Sequence, residues 1–250
     1  MSLLVVPALL YVAFCAYLYG AQRSLIYFPT PESTHAGAEV VPLATDGATL
    51  KVLAVRRAGP QALIYFGGNA EDVGLNIDEL ARALPQHSLY LVNYRGYGGS
   101  TGRPSETDLF ADALAVHDHV QARHPDISVV GRSLGAGVAT YLASRRPTGK
   151  LVLVTPFDSL VNVARGYYRL LPVELLLKDR YDSASRAAEV TAPVLVVIAE
   201  RDEIVPRARS QALVEAFAAE QVRVSVIPGA RHNTLDAQPA YLEAVSAFLE

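Results

Sequence analysis

From residue 39 onward the chain runs as short apolar stretches separated by polar, glycine-containing turns. The stretches at 61–66, 88–93, 127–131, 150–155, 193–199 and 222–227 have the length and Val/Ile/Leu content of strands. The run at 193–199 is unbroken by any polar side chain, as expected of a strand covered on both faces. Between these runs, segments near 72–84, 105–123, 134–146, 207–219 and 234–249 read as helices, and Ser105 with Asp108 resembles a capping box with Asp in place of Glu. Residues 39–43 and 49–56 read as a hairpin turning at Asp46-Gly47, preceded by a linker at 29–38. Strands alternating with helices predict an α/β fold, with a mostly parallel sheet covered by helices on both faces. At 250 residues this is one domain. One stretch breaks the alternation. Residues 157–190 are long and apolar for a simple crossover, notably from Tyr167 to Leu177, and read as a small cap-like insertion, with an ordinary packed helix as the competing reading.

The N-terminus follows a different pattern. Residues 3–21 carry no charge, a length that meets the ~20 residues needed to cross a bilayer core. Tyr17, Tyr19, Arg23 and Tyr27 stand where interfacial anchors belong. A cleaved signal peptide should open with Lys or Arg and close on a small-residue site, and neither is present. Acylation at Cys15 meets the bulky Phe14 before it. Residues 1–28 are therefore expected to be a membrane anchor, a single-pass N-terminal transmembrane helix, ahead of a catalytic domain at 29–250. The basic residues around the segment are too few to orient it. A net charge of -3 and the lack of any basic run argue against nucleic acid as a partner. A single cysteine rules out an intrachain disulfide. The histidines His35, His87, His117, His119 and His124 form no metal-ligand spacing.

The chemistry concentrates at Gly131-Arg132-Ser133-Leu134-Gly135, which lies between an apolar run and a helical segment. A G-x-S-x-G between strand and helix is the pattern of a nucleophile elbow, in which a strained turn lifts the serine hydroxyl off the sheet. Its two glycines let strand and helix approach closely. An elbow serine needs a base held by an acid, in the chain order serine, acid, histidine. His232 is the one histidine downstream of Ser133, just past the strand at 222–227. Asp202 follows the strand at 193–199. Asp158, after the strand at 150–155, is its rival, while Glu200 and Glu203 read as solvated loop carboxylates. An oxyanion hole would take one backbone N–H from Leu134 and a second from Asn69, in the loop Gly67-Gly68-Asn69-Ala70 after the strand at 61–66.

Together with Gln22 to Pro29, Gly67 to Asp72, Asn93 to Glu106, Asp202 to Pro206 and Gly229 to His232, these motifs resemble the α/β-hydrolase superfamily, and within it the membrane-anchored α/β-hydrolase-domain serine hydrolases. Two positions depart from that pattern: Gly67 stands where histidine is usual, and Asn93 where aspartate is usual. The departures leave open how the oxyanion loop is braced. The resemblance implies an α/β-hydrolase fold and a Ser133-His232-Asp202 triad acting through an acyl-enzyme. It implies no metal or organic cofactor. The expected substrates are carboxylic esters, with lysophospholipids or acyl thioesters favoured by the anchor. A serine peptidase of the same fold and a non-catalytic scaffold are the alternatives.

Overall fold

The site is positioned by one eight-stranded sheet in the order β1-β2-β4-β3-β5-β6-β7-β8. Its strands are β1 (Glu39–Thr45), β2 (Ala48–Val55), β3 (Gln61–Phe66), β4 (Ser88–Val92), β5 (Asp126–Arg132), β6 (Leu151–Val154), β7 (Val194–Ala199) and β8 (Val222–Ile227). The computed structural model describes residues 2–250, with side chains from Val5 onward. The β1–β2 hairpin and the β2–β4 pair are antiparallel, and every pairing from β4 across to β8 is parallel.

From β3 the chain steps to β4 on one side and then to β5 on the other. Strand order therefore reverses between β3 and β5, and a crevice opens at their carboxyl ends, where ligands bind in open α/β sheets. Both Gly67 and Ser133 follow those ends directly.

The unbroken apolar runs are explained by two-sided burial. In β3, Ala62, Ile64 and Phe66 enter one hydrophobic cluster while Leu63 and Tyr65 enter the other. In β7, Val194, Val196 and Ile198 face the first cluster and Leu195, Val197 and Ala199 the second. Helices α3 (Glu106–Gln121) and α4 (Leu134–Arg145) cover the first face through Leu109, Val116, Val138 and Leu142. Helices α2 (Ile77–Ala83) and α8 (Pro239–Leu249) cover the second through Ile77, Leu80, Val245 and Phe248. Each such aliphatic or aromatic side chain contributes about 1.5–3 kcal/mol on full burial.

Three helices depart from their expected bounds. The segment at 72–84 opens as a 3-10 turn, Val73–Asn76, before α2 begins. Asp72 caps that turn by accepting from the Gly74 N–H at 3.1 Å, and Gly74 lies against the His35 ring with no room for a Cβ. Helix α7 (Arg207–Val214) stops short of 219, and the chain beyond it turns to bury Phe217. Helix α8 starts at Pro239 rather than 234, because proline fits the first turn of a helix, where its missing N–H is no loss.

Between β6 and β7 lies the cap-like insertion: α5 (Leu160–Tyr167), α6 (Val173–Leu176) and a 3-10 segment, Ala184–Glu189. Ser159 starts α5 by accepting from the Asn162 N–H at 3.1 Å. Ahead of the sheet stands α1 (Ser2–Ile26), of which Val5–Ile26 is long and apolar enough to cross a membrane by length and composition. Its last turn is tied to the domain. Gln22 donates to the Leu176 carbonyl at 2.9 Å and accepts from the Lys178 N–H at 2.7 Å. Arg23 pairs with Asp179 at 3.1 Å, and the buried Tyr27 hydroxyl reaches Asp179 at 3.0 Å and Tyr181 at 2.8 Å.

Candidate active site

The strand-to-helix turn at Ser133 is as tight as its glycines suggest. A Cβ on Gly131 would come within 2.6 Å of the Ala139 Cβ, and one on Gly135 within 2.6 Å of the Gly67 carbonyl oxygen. Ser133 itself has φ 51° and ψ -111°, a strained conformation for a residue with a Cβ, costing of order 1–3 kcal/mol. Its N–H donates to the Val154 carbonyl at 2.8 Å, which fixes the elbow to β6. The serine does not cap α4, so its hydroxyl is free for another partner.

That partner is His232, whose Nε2 lies 3.0 Å from Ser133 Oγ. The imidazole Nδ1 lies 2.8 Å from Asp202 Oδ2 and 3.0 Å from Oδ1. A carboxylate only accepts, so Nδ1 carries the proton and Nε2 is left to accept from the serine hydroxyl. Asp202 also accepts from the N–H groups of Ile204 at 2.9 Å and Val205 at 2.7 Å. Both His232 and Asp202 have nearly buried side chains. A serine hydroxyl in reach of an imidazole that is oriented by a carboxylate is the arrangement a base-activated nucleophile requires.

The rival carboxylates do other things. Asp158 accepts from Asn162 at 2.6 Å and from Arg209 at 3.1 Å, joining the cap to α7. Glu200 accepts from the Gly229 N–H at 2.7 Å, tying the acid loop to the histidine loop. Glu203 offers its backbone carbonyl to the Tyr167 hydroxyl at 2.9 Å, which docks the cap beside the acid loop.

The loop Gly67-Gly68-Asn69 folds over the elbow, with a Cβ at Gly68 only 3.8 Å from the Ser133 Cβ. Glu71 holds it. One Glu71 oxygen accepts from the Gly68 N–H at 2.5 Å, and the other from Tyr65 at 2.6 Å and Asn76 at 2.7 Å. The Tyr94 hydroxyl donates to the Gly67 carbonyl at 2.7 Å. Burial pushes the Tyr65 and Tyr94 hydroxyls well above their usual range, with the Glu71 charge adding to it, so both stay protonated donors. Glu71 and Tyr94 together brace the loop that opens at Gly67. The Asn69 side chain accepts from the Phe28 N–H at 3.0 Å and from Tyr97 at 2.7 Å, and donates to the Ile26 carbonyl at 2.6 Å. Among the described hydrogen bonds, neither the Asn69 nor the Leu134 backbone N–H has a protein partner.

The sequence matches the α/β-hydrolase family over residues 66–184 and a family described as serine aminopeptidase, S33, over residues 176–238. An uncharacterised protein of Mycobacterium tuberculosis is 39% identical over 252 residues, covering 93% of this chain and 89% of that protein. The chain belongs to the α/β-hydrolase superfamily. The human alpha/beta hydrolase domain-containing protein 17B is 27% identical over 203 residues, covering 77% of this chain and 68% of its own. Among solved structures, the esterase Pf2001 of Pyrococcus furiosus superposes with a TM-score of 0.73 at 20% identity, over 90% of this chain and 98% of that one. That likeness extends to the fold.

Two residues of this hydrolase site have no role in the motif reading. Glu71 is the first. A glutamate three residues after a glycine in a turn can reach back to the glycine N–H, which is the signal that would have found it. Arg132 is the second, and it occupies a variable position of the elbow. It donates to the His232 carbonyl at 3.1 Å and pairs with Asp236 at 3.4 Å and Glu71 at 3.7 Å. Burial alone would lower the Arg132 pKa, but Glu71, Tyr65 and Asp236 around it outweigh that and hold it above its usual value.

Proposed function

We propose that this α/β-hydrolase is a membrane-anchored serine hydrolase that cleaves carboxylic esters, with lysophospholipids or acyl thioesters as favoured substrates. The observation that carries this reading is the continuous chain Ser133–His232–Asp202, with contacts of 3.0 and 2.8 Å. Ser133 Oγ attacks the acyl carbonyl carbon as its proton passes to His232 Nε2. The N–H groups of Asn69 and Leu134 donate to the oxyanion of the tetrahedral intermediate. Collapse breaks the bond to the leaving group, which takes the proton from His232. Water then attacks the acyl-enzyme by the same steps and regenerates Ser133. Asp202 keeps the imidazole in the productive tautomer and stabilises its cationic form.

The acyl preference follows from the surroundings. Helix α1 holds the domain at a bilayer, and the cap beside it carries the exposed apolar residues Tyr167, Tyr168, Leu170 and Leu175. A peptidase is the second reading, favoured by the match to the serine aminopeptidase family over residues 176–238, which include Asp202 and His232. A panel of short and long acyl esters, an acyl thioester, a lysophospholipid and aminoacyl anilides, run with Ser133→Ala as the blank, separates these readings. The proposal expects turnover of esters above that blank. Turnover confined to anilides would establish the peptidase, and turnover of none would leave the fold without this chemistry.

A further inference from the structure

The way α1 packs on the cap limits how much of it a bilayer can surround. Half-buried or buried positions recur at Cys15, Leu18 and Gln22, in register with Tyr11, at helical spacing. This stripe faces the cap. The Tyr11 hydroxyl donates to the Leu170 carbonyl at 2.6 Å, the Lys178 ammonium lies 3.9 Å over the Tyr19 ring, and Gln22 and Arg23 hold Leu176 and Asp179. Helix and cap therefore run side by side from Arg23 back to Tyr11, about 18 Å at 1.5 Å per residue.

Suppose residues 3–21 filled the hydrocarbon core. Leu170 and its turn, with irregular backbone, would then stand near the midplane. Lipid-exposed irregular backbone does not occur at that depth. Among the described side chains of α1, those from Val5 to Leu10 are exposed and clear of the cap. Residues 2–10 span about 14 Å, close to half of the ~30 Å core.

We propose that α1 is a one-leaflet anchor: residues up to Leu10 enter the acyl chains of a single leaflet, while the cap tip rests in the same headgroup layer. The tip suits that layer. Leu170 is 88% exposed, and its carbonyl is bonded to Tyr11 of α1, next to the exposed Val12. Arg169, next to Leu170 and exposed, forms no ion pair among the described residues, which leaves it for anionic headgroups. The occupant of this surface is thus a lipid leaflet. Because the cap is bonded through Tyr167 to the acid loop, the catalytic crevice is held at the membrane surface, where an amphiphile can reach it from the leaflet. The inference rests on α1 being a membrane anchor and is independent of the chemistry at Ser133.

The test uses the full chain with Cys15→Ala, labelled with an environment-sensitive fluorophore at Val5→Cys, Val12→Cys or Leu170→Cys. It is bound to mixed phosphatidylcholine and phosphatidylglycerol vesicles carrying a spin-labelled lipid. Co-sedimentation is measured first, and failure to bind overturns the anchor reading and this inference together. With binding established, the Val5→Cys label should be quenched most by a spin label at the acyl terminus. The labels at positions 12 and 170 should be quenched most by one near the headgroup. A spanning helix gives the reverse order, with position 12 deepest and position 5 shallow, and that result overturns the one-leaflet anchor alone. A label at 170 that neither lipid quenches removes the cap from the membrane contact.

Discussion

Arg132 is the residue through which the site's loops are kept in register, since its guanidinium meets the His232 carbonyl, Glu71 and Asp236 at once. Carboxylates that look alike in sequence should therefore differ in the cost of their removal. Ser133→Ala and His232→Ala should each lower ester turnover by about 10⁴-fold or more, with the double variant little worse, because the residues act as a unit. Asp202→Asn should be severely impaired while Asp158→Asn keeps most of its turnover, since Asp158 contacts Asn162 and Arg209 rather than His232. Steady-state kinetics on one soluble ester check all four, and the opposite ranking of the two Asn variants would move the acid to Asp158. Glu71→Gln should lower kcat more than it raises KM, because it loosens the loop bearing Asn69. Its effect should fall short of the ~10²–10³-fold lost when an oxyanion donor is removed outright. That Ser133, Asp202 and His232 come together was legible in sequence because each lies on the turn or loop after the carboxyl end of a strand. Glu71 and Arg132 were not, because their partners Tyr65, Asn76, Asp236 and the His232 carbonyl come together only when separate loops converge.

At the scale of elements, strands were read nearly to the residue, because two-sided burial writes them as apolar runs with sharp ends. Helix ends were read less well. The start of α2 depends on the contact of Gly74 with His35, and the end of α7 on the inward turn at Phe217. Neither contact has a local signature. The turn between α2 and β4 carries a consequence for stability. His87 is buried there with its Nδ1 unpartnered. Burial lowers its pKa below the usual 6.5, Lys150 adds to the effect, and Asp126 and Glu250 oppose it. The unfolded chain therefore takes up this proton first as pH falls. Stability is unaffected above 6.5 and is lost as pH drops through that value toward the lower folded pKa. His87→Gln removes this titration. The melting temperature of the wild type should thus fall more steeply than that of the variant on acidification below 6.5, and parallel curves would rule out the effect.

For the whole molecule, α1 and the hydrolase domain are separate in pattern but joined in structure. Residues 1–28 and 29–250 divide the chain by hydropathy, yet Tyr27 lies in the core at 3% exposure, and Ile26 and Phe28 are bonded to Asn69 in the loop after β3. Hydropathy reports which residues avoid water and is blind to the polar contacts that bind α1 to the domain. A chain starting at Ala21 keeps Gln22, Arg23 and Tyr27, and should be water-soluble and turn over a short ester at close to the full rate. A chain starting at Pro29 should lose about 3–5 kcal/mol of stability, the scale for removing a buried aromatic. It also leaves the buried Asp179 without Arg23 and Tyr27. Denaturant unfolding of the two chains measures the difference.

The central claim is that Ser133 is an activated nucleophile. Reaction of the full chain with a fluorophosphonate, followed by mass spectrometry of the modified peptide, tests it most directly. The account predicts rapid, stoichiometric phosphonylation at Ser133 that is lost in His232→Ala and in acid-unfolded protein. An unmodified Ser133 in folded protein, or an adduct equally formed without His232, would contradict it.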